Sequence, residues 1–571
     1  MTRRAPSGER GREVPGSWAQ STVGAHTPCG HVTIESDDGS CLEAGAAFAC
    51  GSTRALPLHG GAPPEGERIL SRIAATSAGL EIERGPYGGQ SVYYARVGED
   101  VVVSSRLELL VRALPHPPAL DIDALAACGV AGIGPDAGAT VYRGIRRLAS
   151  CERLRFEPDG RVLSTLHIPS ARSHRWADAR DAGRAMVGML RSLLASALRQ
   201  FPSLGVMAGG GLDSSALLAL AAQTARSDGS TGSRGGARVV GLTMDYEAPG
   251  DDRPHMRALL RHIGGETLRV SPDELAPLAA DFFTKDAAPY TPPTAPVVGR
   301  LYERARAWGA DAIATGVYGD FVLDGDLASF ALRARRGDLA AVADAARLDV
   351  PWTSTPWSRV LGLVVKPLLR SSVPASFLER RHARWLESLD LWHWAGPRLR
   401  PLLPAMFSPR GDATDDWLTS FATSPEATDR VDGVAQEAAA AGVPVLNVYE
   451  DPRFIELVST ISAEHLFLGH RSRGLFRDSM GGTLPDSLRY RRDKAMMEPM
   501  LEQMFAAVGR DGSLRSLLEM EATADLGLVE PAPFRLALDR LVAGKANGRG
   551  WQEQWAMLAV EGFVQRLHGA R

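Results

Sequence analysis

Apolar and polar positions change rhythm near residue 175 of this 571-residue chain. Before that point the apolar residues come in short β-rich runs. "SVYYARV" and "DVVVSS" flank "GED", and "ERLRFEPDGRVLSTL" turns back at "PDG", so each pair predicts a hairpin. "LELLVRALP" and "DIDALAACGV" read as short helices between them. The pattern predicts an α+β domain of mainly antiparallel strands over 29–170. The Gly-, Ser-, Pro- and Arg-rich residues 1–28 are expected to form a disordered arm.

Over 175–571 the periods lengthen. "DAGRAMVGMLRSLLASALRQF" repeats its apolar positions at helical spacing, and strand–loop–helix units follow. "LGVMAGGG" is the first strand. "RVVGLTMDYE" is the second, ahead of the helix "RPHMRALLRHIGG", and "AIAT" is the third, behind the helix "VVGRLYERARAWG". Apolar strands alternating with helices predict an α/β domain with a parallel sheet covered on both faces. "SDGSTGSRGGAR" reads as a flexible insertion between the first helix and the second strand. Residues 331–425 read as a helical insertion holding Trp352, Trp357, Trp385, Trp392, Trp394 and Trp417.

Composition narrows the functional classes. A formal net charge of -3 gives no global attraction to nucleic acid or an anionic membrane. The five cysteines, Cys29, Cys41, Cys50, Cys128 and Cys151, form no CxxC and show no zinc spacing, so reduced thiols in a cytoplasmic protein are expected. The polar, basic N-terminus lacks the apolar core of a signal peptide, and no apolar run approaches the ~20 residues of a membrane span.

The chemistry concentrates at "MAGGGLDSS". A glycine-rich turn between a parallel strand and a helix presents backbone N–H groups, and the helix N-terminus adds partial positive charge, which favours phosphate. Such a turn is as often only a tight turn. Asp213 repels phosphate, so its place is as a ligand to a magnesium ion bridging phosphates.

This stretch resembles the pyrophosphatase loop S-G-G-x-D-S-S of the asparagine synthetase family: Gly210, Gly211, Leu212, Asp213, Ser214 and Ser215 match, and Gly209 replaces the leading serine. "ATGVYGDFVLDGD" is similar to the family's T/S-G-x-G-x-D-E segment through Thr315, Gly316, Gly319 and Asp320, with the glycine spacing shifted by one. "RGLFRDSMGGTLPDSLRYRRDK" resembles K-x-L-L-R-x-A-x-x-x-L-P-x-x-I-x-x-R-x-K through Leu475, Arg477, Leu484, Pro485, Arg492 and Lys494. "NVYEDPRFIELVSTI" is similar to the family's PFLDxxLVEF segment, with Asp451 structural.

The resemblance implies a degenerate Ntn glutaminase-like β-sandwich over 29–170 and an ATP-pyrophosphatase domain over 175–571. It implies ATP against Ala208, Gly209, Gly210, Gly211, Asp213, Ser214, Ser215, Met244, Thr315 and Gly316, with Mg²⁺ on Asp213 and Asp320. Lys494 and Arg492 are the expected catalytic cations, and Tyr318 is a candidate base. A working glutaminase of this class needs a cysteine at its mature N-terminus, and residue 2 is Thr2, so ammonia from glutamine is not expected.

Two branches of the family use an amine already on the substrate: lasso peptide cyclases and β-lactam synthetases. Phe321 after Asp320, Val317 after Gly316, and the tryptophan-rich insertion favour a lasso peptide cyclase. That branch implies a linear precursor peptide as substrate, and a leader-binding protein and a leader peptidase as partners. A β-lactam synthetase-like ligase and an inactive nucleotide-binding scaffold are the alternatives.

Overall fold

The N-terminal half folds into two five-stranded sheets. One runs β1 (Ser21–Thr27), β2 (Gly30–Ser36), β7 (Asp100–Ser104), β6 (Tyr93–Val97), β8 (Ile145–Arg147). The other runs β10 (Val162–Leu166), β9 (Glu152–Phe156), β5 (Gly79–Arg84), β4 (Ser71–Thr76), β3 (Phe48–Ala49). The computed structural model describes residues 21–27, 30–36, 48–49, 71–76, 79–84, 91–98, 100–104, 107–131, 138–157, 161–166, 176–228, 236–245, 251–283, 289, 292–349, 355–370, 373–407, 433, 437, 440–492, 498–510, 514–543 and 550–569.

Both predicted hairpins are present, with Val97 opposite Asp100 and Val162 opposite Phe156. Alternate residues of β5, β7 and β9 point inward, and Leu80, Ile82, Val101, Val103, Leu154 and Phe156 share one core between the sheets. The arm expected over 1–28 requires a correction. Ser21–Thr27 is a strand, paired antiparallel with β2 so that Val23 faces Ile34 and Ala25 faces Val32. Its composition is polar because it is an edge strand. Residues 1–20 lie outside the described residues, as do Cys29, Cys41 and Cys50.

The two short helices form as read, α1 (Leu107–Ala113) and α2 (Ile122–Ala131). Helix α2 packs on the C-terminal helix Gly550–Gly569, and its Leu125, Ala126 and Cys128 share a core with Trp555, Met557 and Val560. The two halves therefore divide by sheet, while one core runs between them.

In the second half α3 (Ala179–Gln200) is capped by the Asp178 side chain and precedes β11 (Ser203–Met207), α4 (Leu212–Asp228), β12 (Arg238–Met244) and α5 (Arg253–Ile263). The chain continues through β13 (Thr267–Val270), α6 (Leu275–Asp281), α7 (Ala295–Trp308), β14 (Ala312–Thr315), α8 (Gly319–Val322) and β15 (Val445–Asn447). The sheet order is β13-β12-β11-β14-β15, and every pairing is parallel. The three predicted strands are β11, β12 and β14. Strands β13 and β15, four and three residues long, were not predicted.

From β11 the chain builds outward through β12 and β13, then returns to the other flank with β14 and β15. The C-terminal ends of β11 and β14 thus flank a topological switch point, where open parallel sheets bind ligands.

Helices Ala328–Arg335, Ala340–Arg347, Pro356–Val360 and Ala375–Glu387 make up much of the insertion after α8. Its tryptophans divide by role: Trp394 is buried in the main core, whereas Trp357 is 81% exposed and Trp385 is also exposed. Trp352 and Trp417 lie outside the described residues. Among the described residues no helix is long and apolar enough to cross a membrane.

Candidate active site

The loop after β11 is shaped by its glycines. Ala208 still belongs to the sheet, its N–H donating to Leu242 O at 2.8 Å. Gly210 then turns with φ +89°, a conformation side chains disfavour, and Gly211 O accepts from Ser215 N at 3.2 Å to open α4. The N–H groups of that first turn, with Ser214 and Ser215, stand beside the switch point. Ser215 Oγ is buried and has no hydrogen-bond partner among the described residues, a donor still to be satisfied.

The loop after β14 packs directly on this turn. A Cβ on Gly319 would lie 2.7 Å from the Asp213 Cβ, so only glycine permits the approach that brings Asp320 toward Asp213. Thr315 Oγ1 donates to Asn447 Oδ1 at 2.7 Å, tying β14 to β15 at their C-terminal ends. Tyr449 Oη donates to the Asp213 carbonyl at 2.9 Å and holds the start of α4 from beneath.

Asp213 is ion-paired with Arg473, a residue sequence reasoning passed over. Arg473 takes φ +55°, unusual for a non-glycine residue, and its backbone N–H donates to Asp324 Oδ1 at 3.1 Å. Burial works against its charge, but Asp213, Asp324 and Asp320 outweigh that cost and hold the guanidinium charged. Arg473 therefore sits among the two proposed metal carboxylates. The signal was present in "RGLFR", where Arg473 falls at the leading lysine of K-x-L-L-R.

The segment after Arg473 is stitched by buried arginines. Arg477 Nε donates to Ser472 O at 3.1 Å and its Nη1 to the Arg489 and Arg491 carbonyls. Arg491, its side chain 5% exposed, reaches the phosphate loop itself, donating to Gly210 O at 3.0 Å.

Two expectations change here. The Arg492 side chain is 77% exposed and pairs with Asp349 at 3.1 Å, so the arginine on the loop is Arg491. Counting L-P-x-x-I-x-x-R from Leu484 also lands on Arg491. Tyr318 caps α8 at φ +66°, and its ring is 4% exposed and packed near Phe321, out of reach of a solvated amine. Met244 ends β12 and is half-buried. Lys494 lies outside the described residues.

The asparagine synthase family model matches residues 188–565, well over half of the chain. The chain belongs to the asparagine synthase family. It is an ATP-dependent carbon–nitrogen ligase with an α/β ATP-pyrophosphatase-like domain. No curated protein matches it.

ATP supplies this asparagine synthase family member with a leaving group for a carboxylate, and Mg²⁺ supplies charge neutralisation on the phosphates. The residues present fit both. The opening turn of α4 and the unsatisfied Ser215 hydroxyl suit phosphate oxygens. Asp213 and Asp320 would hold the ion. Among the described residues no group of three or more acidic, His or Cys side chains could hold a metal.

Proposed function

We propose that this ligase is a lasso peptide cyclase, a macrolactam synthetase acting on a linear core peptide. An Asp or Glu side-chain carboxylate of the peptide attacks the α-phosphate of ATP and releases pyrophosphate. The peptide's N-terminal amine then attacks the activated carbonyl, loses a proton and displaces AMP, leaving an isopeptide ring. An α-amine titrates near ~8, so no strong base is needed, in keeping with the buried ring of Tyr318. Holding both ends of the peptide together supplies much of the rate.

The observation that carries this reading is the aromatic insertion and its attachment. Trp357, Leu361, Phe377 and Trp385 are exposed on its helices, an apolar surface suited to a peptide. Asp349 fastens the insertion to the site through its N–H, which donates to His470 O at 2.7 Å, while its exposed carboxylate pairs only weakly with Arg492. Those contacts flank the segment that carries Arg473.

The test is mass spectrometry of linear peptides with a free N-terminus and an internal Asp or Glu, incubated with the chain, ATP and Mg²⁺. The expected product has lost one water, with AMP and pyrophosphate released, and N-terminal acetylation blocks it. Cyclisation of small amino acid derivatives but no peptide points to a β-lactam synthetase-like ligase. Absence of pyrophosphate with every carboxylate points to a scaffold. In the cell this reading calls for a leader-binding protein and a leader peptidase as partners.

A further inference from the structure

The phosphate loop lacks its usual serine, and the space beside it is filled by Asp252. A Cβ on Gly209 would lie 3.3 Å from Asp252 Oδ2, and one on Gly210 would lie 2.8 Å from the Asp252 carbonyl. Asp252 stands at the N-cap of α5 but makes no side-chain cap hydrogen bond. Its Oδ1 instead accepts from Arg491 Nη1 at 2.5 Å, and the same nitrogen donates to Gly210 O at 3.0 Å.

We propose that Asp252 and Arg491 form a clamp that replaces the missing serine and positions the loop for the ATP phosphates. The peptide unit is planar and trans, so anchoring the Gly210 carbonyl on Arg491 turns the Gly211 N–H the opposite way. That N–H opens α4, and the clamp aims it at the anion. A lone carboxylate beside a phosphate site would repel the ligand. Pairing with Arg491 neutralises Asp252 and leaves its bulk to support the loop. Asp252 and Arg491 are positioning residues in this account, and it rests on the ATP-ligase reading.

The clamp is tested by calorimetric binding of a non-hydrolysable ATP analogue with Mg²⁺, compared with adenosine, to the full chain. Arg491→Lys keeps the charge but cannot serve both acceptors in the same geometry. It is expected to weaken the triphosphate about ten-fold, the worth of one charge-assisted hydrogen bond, with adenosine unchanged. Asp252→Asn should do the same. Gly209→Ser combined with Asp252→Ala exchanges clamp for hydroxyl and should recover part of the loss seen in Asp252→Ala alone. Unchanged triphosphate binding in Arg491→Lys, or equal losses for triphosphate and adenosine, overturns the clamp. If the unsubstituted chain binds no triphosphate, the ATP reading falls and takes the clamp with it.

Discussion

Arg473 places its guanidinium on the Asp213 carboxylate, joining the last third of the chain to the first turn of α4. The pair is mostly buried, so each charge depends on the other. Asp213→Ala would strand a buried arginine and cost about 3 kcal/mol of stability as well as activity. Asp213→Asn keeps the shape, and is expected to abolish pyrophosphate release while the fold persists by circular dichroism. Turnover within ten-fold of the parent would remove Asp213 from the metal site.

Arg492 and Lys494 stand two residues apart in the sequence, and opposite outcomes are expected for them. Arg492→Ala should change turnover by no more than about two-fold, since an exposed ion pair contributes little. Lys494→Ala should lower turnover by about 100-fold or more with triphosphate binding kept, as for loss of a transition-state cation. Steady-state kinetics on the two variants decide it; equal effects would return Arg492 to the active site.

Tyr318→Phe bears on proton transfer. With its ring in the core, removal of the hydroxyl should leave both the rate and its pH profile within about two-fold of the parent. A lost basic limb in the profile would show that the hydroxyl reaches the amine during turnover.

Glu450 gives stability a pH dependence. Burial pushes its carboxyl up to about 8, against a hydrogen bond with Asn447 and the charge of Arg84. A raised acid holds its proton in the folded chain and loses it when unfolded. Its contribution to stability is therefore full below about 4.5, falls by about 1.4 kcal/mol per pH unit, and levels off above about 8. Glu450→Gln should be more stable than the parent at pH 7, with the gap closing toward pH 4.5. Chemical denaturation at several pH values measures this, and a gap independent of pH would contradict it.

How much of this was legible depended on distance along the chain. Strands β11, β12 and β14 and the phosphate turn could be read because their signals are local: an apolar run, glycines, then helix-forming residues within one unit. Ala208 through Ser215 stay together in any fold that forms that unit. Asp320 was legible for the same reason, one short loop beyond β14.

The partners of those residues were not, because they arrive across long stretches of chain. Arg473 reaches Asp213 over 260 residues, and Arg491 reaches Gly210 over 281 and Asp252 over 239. No periodicity encodes which of several adjacent arginines turns inward; the motif count from Leu484 points to Arg491, and packing shows what it meets. The tryptophans followed the same rule, since Trp394 and Trp357 look alike in sequence and only burial tells core from surface. The sequence by itself determined the kind of chemistry, through the short motifs that build a phosphate turn. The tertiary structure decided which charges meet there, because electrostatic contacts depend on spatial proximity and not on spacing along the chain.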